Sequence, residues 1–174
     1  NLFVGNRARI KQGQTDVALE LTTRYPWDGL VTIKVNPEKA AAFDMNVRLP
    51  GWCRRPVLKV NGVAVASPNV IRGYARLRKT WKKGDVITLS LPMPVERVKA
   101  NPLVQADVGR VALARGPIVY CLESADNAAP VNDLMLPVSA RLMAEHRPEL
   151  LGGVTVIKGQ ELVVNPEKWS SALY

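Results

Sequence analysis

Apolar residues recur at every second position through much of the chain, the spacing that sets side chains on one face of a pleated strand. Val17, Leu19 and Leu21 alternate with Asp16, Ala18 and Glu20, and Val31, Ile33 and Val35 with Thr32 and Lys34. Phe43, Met45, Val47 and Leu49 alternate with Asp44, Asn46 and Arg48. The pattern predicts half-buried strands of one packed sheet layer, joined by Tyr25-Pro26-Trp27-Asp28-Gly29, Asn36-Pro37-Glu38 and Pro50-Gly51 as turns. In 58–65, LKVNGVAV, Asn61-Gly62 separates two short β-branched runs, and Asn-Gly tolerates the positive φ angles of a tight hairpin. A strand is expected over Ile71 to Arg78. Lys82-Lys83-Gly84-Asp85 then turns into Val86 to Leu91, with Ile87, Leu89 and Leu91 as the apolar face. Pro92 and Pro94 cannot donate to a ladder, so the chain should bend or change sheet before Val95 to Val98.

The later half repeats the style with weaker alternation. Arg110 to Arg115 and Ile118 to Glu123 flank Gly116-Pro117, and Val154 to Lys158 and Leu162 to Val164 are further strands. Ser124 to Pro137, rich in Ala, Asn, Asp and Pro, reads as a long loop, and Arg141 to Glu145 as a strand rather than a short helix. Short strands, frequent turns and almost no helical periodicity predict an all-β protein of the β-sandwich class, jelly-roll-like, with one complete sandwich and part of a second. The expected division is 1–99 for the first sandwich and 100–174 for the second, incomplete one.

With 174 residues, 47% of them hydrophobic, the chain can build a genuine core. Lys and Arg outnumber Asp and Glu by 24 to 15, giving a formal charge of +9 and a general attraction for anionic surfaces. Arg54-Arg55, Arg76-Arg78-Lys79 and Lys82-Lys83 are the densest basic groups, and no aromatic residues interleave them as a stacking platform. Dedicated nucleic-acid binding is therefore not expected. No run of apolar residues approaches the length of a membrane-spanning helix, and no basic segment leads into an apolar one at the start. The chain reads as soluble, and nothing in it assigns a cytoplasmic or periplasmic compartment. Its abrupt opening on NLFVG and ending at SALY read as those of a fragment.

Candidate chemistry is sparse. Glycoside hydrolysis needs two facing carboxylates, or one carboxylate and another nucleophile. Asp16, Glu20, Asp44 and Glu96 fall on the polar sides of strands, and Asp28 and Asp85 sit in turns beside glycine, where a short side chain caps its own backbone. Glu123, after the apolar run from Ile118 to Leu122, is the acid best placed to face an interface. Cys53 follows Trp52 and Cys121 follows Tyr120, apolar settings that raise a thiol pKa, and His146 has no nucleophile or acid arranged beside it. Two separated cysteines and one histidine do not complete a zinc site. No catalytic, cofactor-binding or metal-ligating residue is assigned. Trp27, Trp52, Trp81 and Trp169 raise the alternative of a carbohydrate-binding module that stacks a ring on a sugar face. A basic interaction domain for proteins or polyanions is a further alternative.

Six segments in order carry a resemblance: Tyr-Pro-Trp-Asp-Gly at 25–29, Arg-Leu-Pro-Gly-Trp-Cys at 48–53, Val-Asn-Gly at 60–62, Gly-Tyr at 73–74, Trp-Lys-Lys-Gly-Asp at 81–85 and Arg-Gly-Pro-Ile-Val-Tyr-Cys-Leu-Glu at 115–123. From about residue 1 to about residue 160 the chain resembles the β-sandwich region of the β-L-arabinofuranosidases of glycoside hydrolase family 127. The resemblance implies a parent enzyme in which an (α/α)6 barrel performs retaining hydrolysis of a terminal β-L-arabinofuranoside. It also implies that the nucleophilic cysteine in its zinc-thiolate site and the glutamate acid/base belong to that barrel. None of those residues maps onto this chain, and neither Cys53 nor Cys121 stands in the paired-cysteine motif. The family's closing aromatic-rich segment, with a Tyr-Tyr-Ala-Trp-like run, is not found through Tyr174, which leaves the second sandwich unfinished. The expected role is that of a non-catalytic accessory fragment supporting the barrel of the same parent chain. Its parent would act on an arabinose-containing glycan. Self-association is expected through exposed edges in Arg110 to Arg115, Ile118 to Glu123 and Val154 to Val164.

Overall fold

A computed structural model describes residues 3–127 and 129–163. The chain forms two compact units, Asn1–Pro94 and Val95–Tyr174. In the first, a six-stranded antiparallel sheet runs in the order β1 (Asn6–Gln12), β2 (Thr15–Thr23), β3 (Leu30–Pro37), β9 (Asp85–Ser90), β5 (Val57–Val60) and β6 (Val63–Ala64). A three-stranded sheet has the order β4 (Ala41–Arg48), β8 (Tyr74–Trp81) and β7 (Asn69–Ile71). The inward-facing residues of the two sheets form one buried cluster. Val17, Val31, Ile33, Val35, Leu58, Ile87 and Leu89 come from the larger sheet and Phe43, Val47, Ala75, Leu77 and Trp81 from the smaller. This unit is a β-sandwich.

The alternation located these strands correctly but not their layers. Phe43, Met45 and Val47 lie in the opposite sheet from Val17 and Val31, because β4 pairs with β8 and not with β3. Period-2 spacing says which face is buried and leaves open which sheet buries it. The strand expected over Ile71 to Arg78 is two strands, β7 and β8, with Arg72 at φ 51° and Gly73 turning the chain between them. Apolar alternation does not predict β1, whose run Arg7-Ala8-Arg9-Ile10-Lys11 has basic residues at every second position and is exposed throughout. The Asn61-Gly62 hairpin is as expected, with φ of 51° and 80° at the two positions and Val60 opposite Val63. Gly29 meets a different demand: a Cβ there would lie 1.9 Å from the carbonyl oxygen of Leu91, whose N–H bonds to Gly29 O at 2.9 Å.

The second unit is built from small antiparallel pieces: β10 (Val95–Val98), β11 (Ala112–Arg115) and β12 (Ile118–Tyr120) in one sheet, β13 (Leu134–Met135) with β16 (Leu162–Val163), and β14 (Met143–Arg147) with β15 (Val154–Lys158). Val95 to Val98 thus joins a new sheet after the two prolines. Gly116-Pro117 closes the β11–β12 hairpin, with Arg115 opposite Ile118. Residues 143–147 are extended, in line with the strand reading of that ambiguous segment. The loop expected over Ser124 to Pro137 contains two short 3-10 turns and β13, elements too brief to leave a periodicity. Val164 and Trp169 lie outside the described residues. Arg97, exposed on β10, donates to the carbonyls of Pro137 at 3.3 Å and Ala140 at 2.6 Å. The buried apolar cluster takes no described residue beyond Leu91. Among the described residues no helix is long and apolar enough to cross a membrane.

Two buried side chains secure the first unit. Trp81 is 0% exposed, its ring centroid 6.0 Å from that of Phe43, and its Nε1–H donates to Phe43 O at 3.0 Å. Asp85 enters the edge of the core at the start of β9. Burial works against its ionisation, but Asn61 Nδ2 at 2.7 Å, Lys82 N–H at 2.8 Å and Lys79 Nζ at 3.0 Å outweigh that and hold its pKa below the usual carboxylate value.

Trp81→Ala should cost about 3–5 kcal/mol of stability by leaving a cavity, and Trp81→Phe, which loses the donor and part of the volume, about 1–3 kcal/mol. Urea unfolding monitored by circular dichroism would show the lowered midpoints. Because the folded pKa of Asp85 is depressed, its stabilisation is complete above the unfolded value of about 3.9 and is lost as pH falls through the folded one. Asp85→Asn should therefore destabilise by about 1.5–3 kcal/mol at neutral pH, and the gap to the parent protein should close below about pH 4. A gap constant from pH 7 to pH 3 would contradict this account of the network.

Candidate functional site

The carboxylates are dispersed, and Glu20, Asp28, Asp44, Asp85 and Glu145 are tied to cations or backbone. Glu20 accepts from Arg7 Nε and Nη2 at 2.9 and 2.7 Å on the outer face of the large sheet. Asp44, on the outer face of the small sheet, is held by Arg76, with Arg78 at 3.9 Å. Asp16 stands opposite Lys11 in the β1–β2 ladder. Asp28 caps its own turn, accepting from Leu30 N–H at 3.0 Å, and pairs with Arg24 at 2.8 Å. Asp85 also caps a turn at Lys82 N–H, but its burial and its bond to Asn61 across the sheet leave no local signature. Glu123 is exposed before a 3-10 turn at Ser124–Asp126, and Glu96 is half-buried on β10. Glu145, overlooked in the sequence, is held below the usual carboxylate range by Lys158 and then Arg147, which reach it at 2.8 and 3.1 Å.

The soft ligands do not converge either. Cys53 is buried, and burial pushes its thiol pKa up against a countering backbone hydrogen bond at Arg55. Cys121 corrects the sequence reading: it is exposed, because β12 ends at Tyr120 and the next residue has left the sheet. His146 is exposed on β14, with Nδ1 3.4 Å from Thr155 Oγ1. Among the described residues no group of three or more His, Cys, Asp or Glu side chains could hold a metal ion. The donor set therefore does not fit a zinc-thiolate centre.

Phe3, Tyr25 and Trp52 form one aromatic cluster. Tyr25 meets Phe3 edge-on at 5.5 Å and stacks on Trp52 at 6.5 Å, so these rings pack on one another and against the core. Trp81 is buried and cannot reach a sugar. The structure instead sets out a charged outer face on β1, β2 and β3, where an open concavity of about 340 Å³ is bounded by Arg7, Arg9, Glu20 and Asn36 over Ala18. Missing β1 meant missing Arg7 and Arg9; the alternating Arg-x-Arg-x-Lys of residues 7–11 was the available signal.

Residues 1–93 match the family model described as the middle domain of GH127 β-L-arabinofuranosidase, and residues 95–159 match the C-terminal domain of glycoside hydrolase family 127. A non-reducing end β-L-arabinofuranosidase of Bifidobacterium longum subsp. longum is 35% identical over 165 residues, which cover 89% of this chain and 24% of that protein. The crystal structure of a GH127 β-L-arabinofuranosidase from Geobacillus stearothermophilus T6 superposes with a TM-score of 0.91 at 45% identity, over 99% of this chain and 27% of that one. A second GH127 β-arabinofuranosidase structure gives a TM-score of 0.86 at 36% identity, over 94% of this chain and 28% of that one. The chain spans about a quarter of the length of these relatives. With two β units matched in succession to that family's middle and C-terminal domains, this chain belongs to glycoside hydrolase family 127.

Proposed function

We propose that the chain is the non-catalytic β region of a β-L-arabinofuranosidase, buttressing an (α/α)6 catalytic barrel of the same parent chain that removes terminal β-L-arabinofuranose from a glycan. The observation that carries this reading is the paired match to a middle and a C-terminal domain in a chain a quarter as long as its relatives. The dispersal of the carboxylates supports it. A retaining glycosidase holds its two carboxyl groups about 5–5.5 Å apart across the scissile bond, or sets a cysteine in place of one. Here Glu20, Asp44, Asp85 and Glu145 are each engaged by a cation on a different stretch of sheet. In this reading zinc belongs to the barrel and not to this region.

The second unit supplies the surface such a role needs. Val119, Leu122, Leu162 and Val163 are all more than half exposed, and large apolar side chains of this kind are commonly covered by a partner. In the parent, the barrel would cover them.

The isolated chain should neither hydrolyse a chromogenic β-L-arabinofuranoside nor retain zinc after dialysis, while the full-length protein containing it does both. Turnover by the isolated chain that disappears on replacing one of its own carboxylates, or one zinc held per chain, would overturn the assignment. The isolated chain should also self-associate in sedimentation runs. Association should strengthen with salt as the +9 charge is screened, and Val119→Lys should weaken it. A strictly monomeric species at all concentrations and salt levels would count against a covered face in the second unit.

A further inference from the structure

The outer face of the six-stranded sheet is ordered by register into rows. Arg7 stands opposite Glu20, Arg9 opposite Ala18 and Lys11 opposite Asp16. One strand further, Glu20 stands opposite Lys34 and Ala18 opposite Asn36. The Arg7–Glu20 row is closed by its two hydrogen bonds. The row beside it is open. Ala18 presents only a methyl group where neighbouring positions carry long side chains, and the concavity of about 340 Å³ lies over it.

Strands in a sheet lie about 4.8 Å apart, so Arg9 and Asn36 flank this floor from strands about 10 Å apart. Asn36 Oδ1 accepts the Gly84 N–H at 3.0 Å, and its amide Nδ2 donates to no partner among the described residues. Arg9 has no ion pair or hydrogen bond among the described residues, so its planar fork of donors is available. Two sets of donors thus face each other across an alanine floor, with Lys11 and Lys34 adding positive charge nearby. A planar carboxylate matches a guanidinium fork bidentately. Glu20 on the rim is an acceptor, suited to sugar hydroxyls and unfavourable to a densely charged phosphate chain. No aromatic residue stands on these rows to stack a base.

We infer that this concavity binds the carboxylate of a uronic acid residue in an acidic polysaccharide, gripped by Arg9 and Asn36, with Lys11 and Lys34 set for neighbouring carboxylates along the same glycan. The inference rests on the reading of the parent as a glycan-cleaving enzyme. Its test measures binding alone and does not depend on turnover by a barrel.

The 174-residue chain is titrated calorimetrically with polygalacturonate, with neutral arabinan and with inorganic polyphosphate. Polygalacturonate should bind in preference to both. Arg9→Ala should weaken it by about tenfold or more, through loss of a bidentate charged pair. Ala18→Glu, which fills the floor with a like charge, should abolish binding. Arg110→Ala removes the same charge from an exposed position in the second unit and should change the affinity by less than about twofold. Equal weakening by Arg9→Ala and Arg110→Ala would reduce the effect to diffuse attraction and overturn the site. So would polyphosphate binding as tightly as polygalacturonate, or no polygalacturonate binding at all. Thermal melts of each variant check folding; because Arg9 is exposed and has no ion pair among the described residues, its replacement decides the matter even if Ala18→Glu unfolds.

Discussion

Burial of one apolar layer between a six-stranded and a three-stranded sheet is the constraint on which the first unit depends. Val17, Val31, Ile33, Val35, Ile87 and Leu89 from one side meet Phe43, Val47, Ala75, Leu77 and Trp81 from the other. Each contributes a small share, of order 1.5–3 kcal/mol for a fully buried large aliphatic side chain, and the sum must exceed the conformational entropy lost along the strands. Trp81 is the largest of them, and its indole N–H also satisfies the Phe43 carbonyl across the β4–β8 pair. The core therefore fixes the register of the smaller sheet as well as its position.

The charged residues follow from that arrangement. With the apolar positions turned inward, alternation forces Arg7, Glu20, Lys34, Asp44, Arg76 and Arg78 outward, where opposite charges meet across neighbouring strands. Lys158 and Arg147 likewise hold the Glu145 carboxyl below the usual carboxylate range, whereas a general acid must keep its proton near neutral pH. Asp85 is the extreme case: buried against the sheet edge, it is matched by an ammonium, an amide and a backbone N–H. The same network that locks the Trp-Lys-Lys-Gly-Asp turn makes its carboxylate unsuited to proton transfer.

The two units differ in how far they can stand alone. The first closes a core from its own residues. The second has short strands and leaves large apolar side chains such as Leu103 and Val119 in water. Apolar side chains exposed in this way gain by being covered.

The sequence by itself determined the strand class, the inward faces of β2, β3, β4 and β9, the Asn61-Gly62 hairpin and the family. These are local properties: period-2 burial, turn chemistry and ordered motifs need no knowledge of what lies across the core. Only the tertiary structure decided that β4 opposes β3 from another sheet, that Arg72-Gly73 splits one apparent strand into two, and that Cys121 is in water while Cys53 is not. It also decided that Arg9, Ala18 and Asn36 share a row and that Asn61 reaches Asp85. Those facts depend on pairing between segments distant in the chain. A strand's alternation fixes which side chains share its face, while its neighbour and register are set by the packing of the whole sheet.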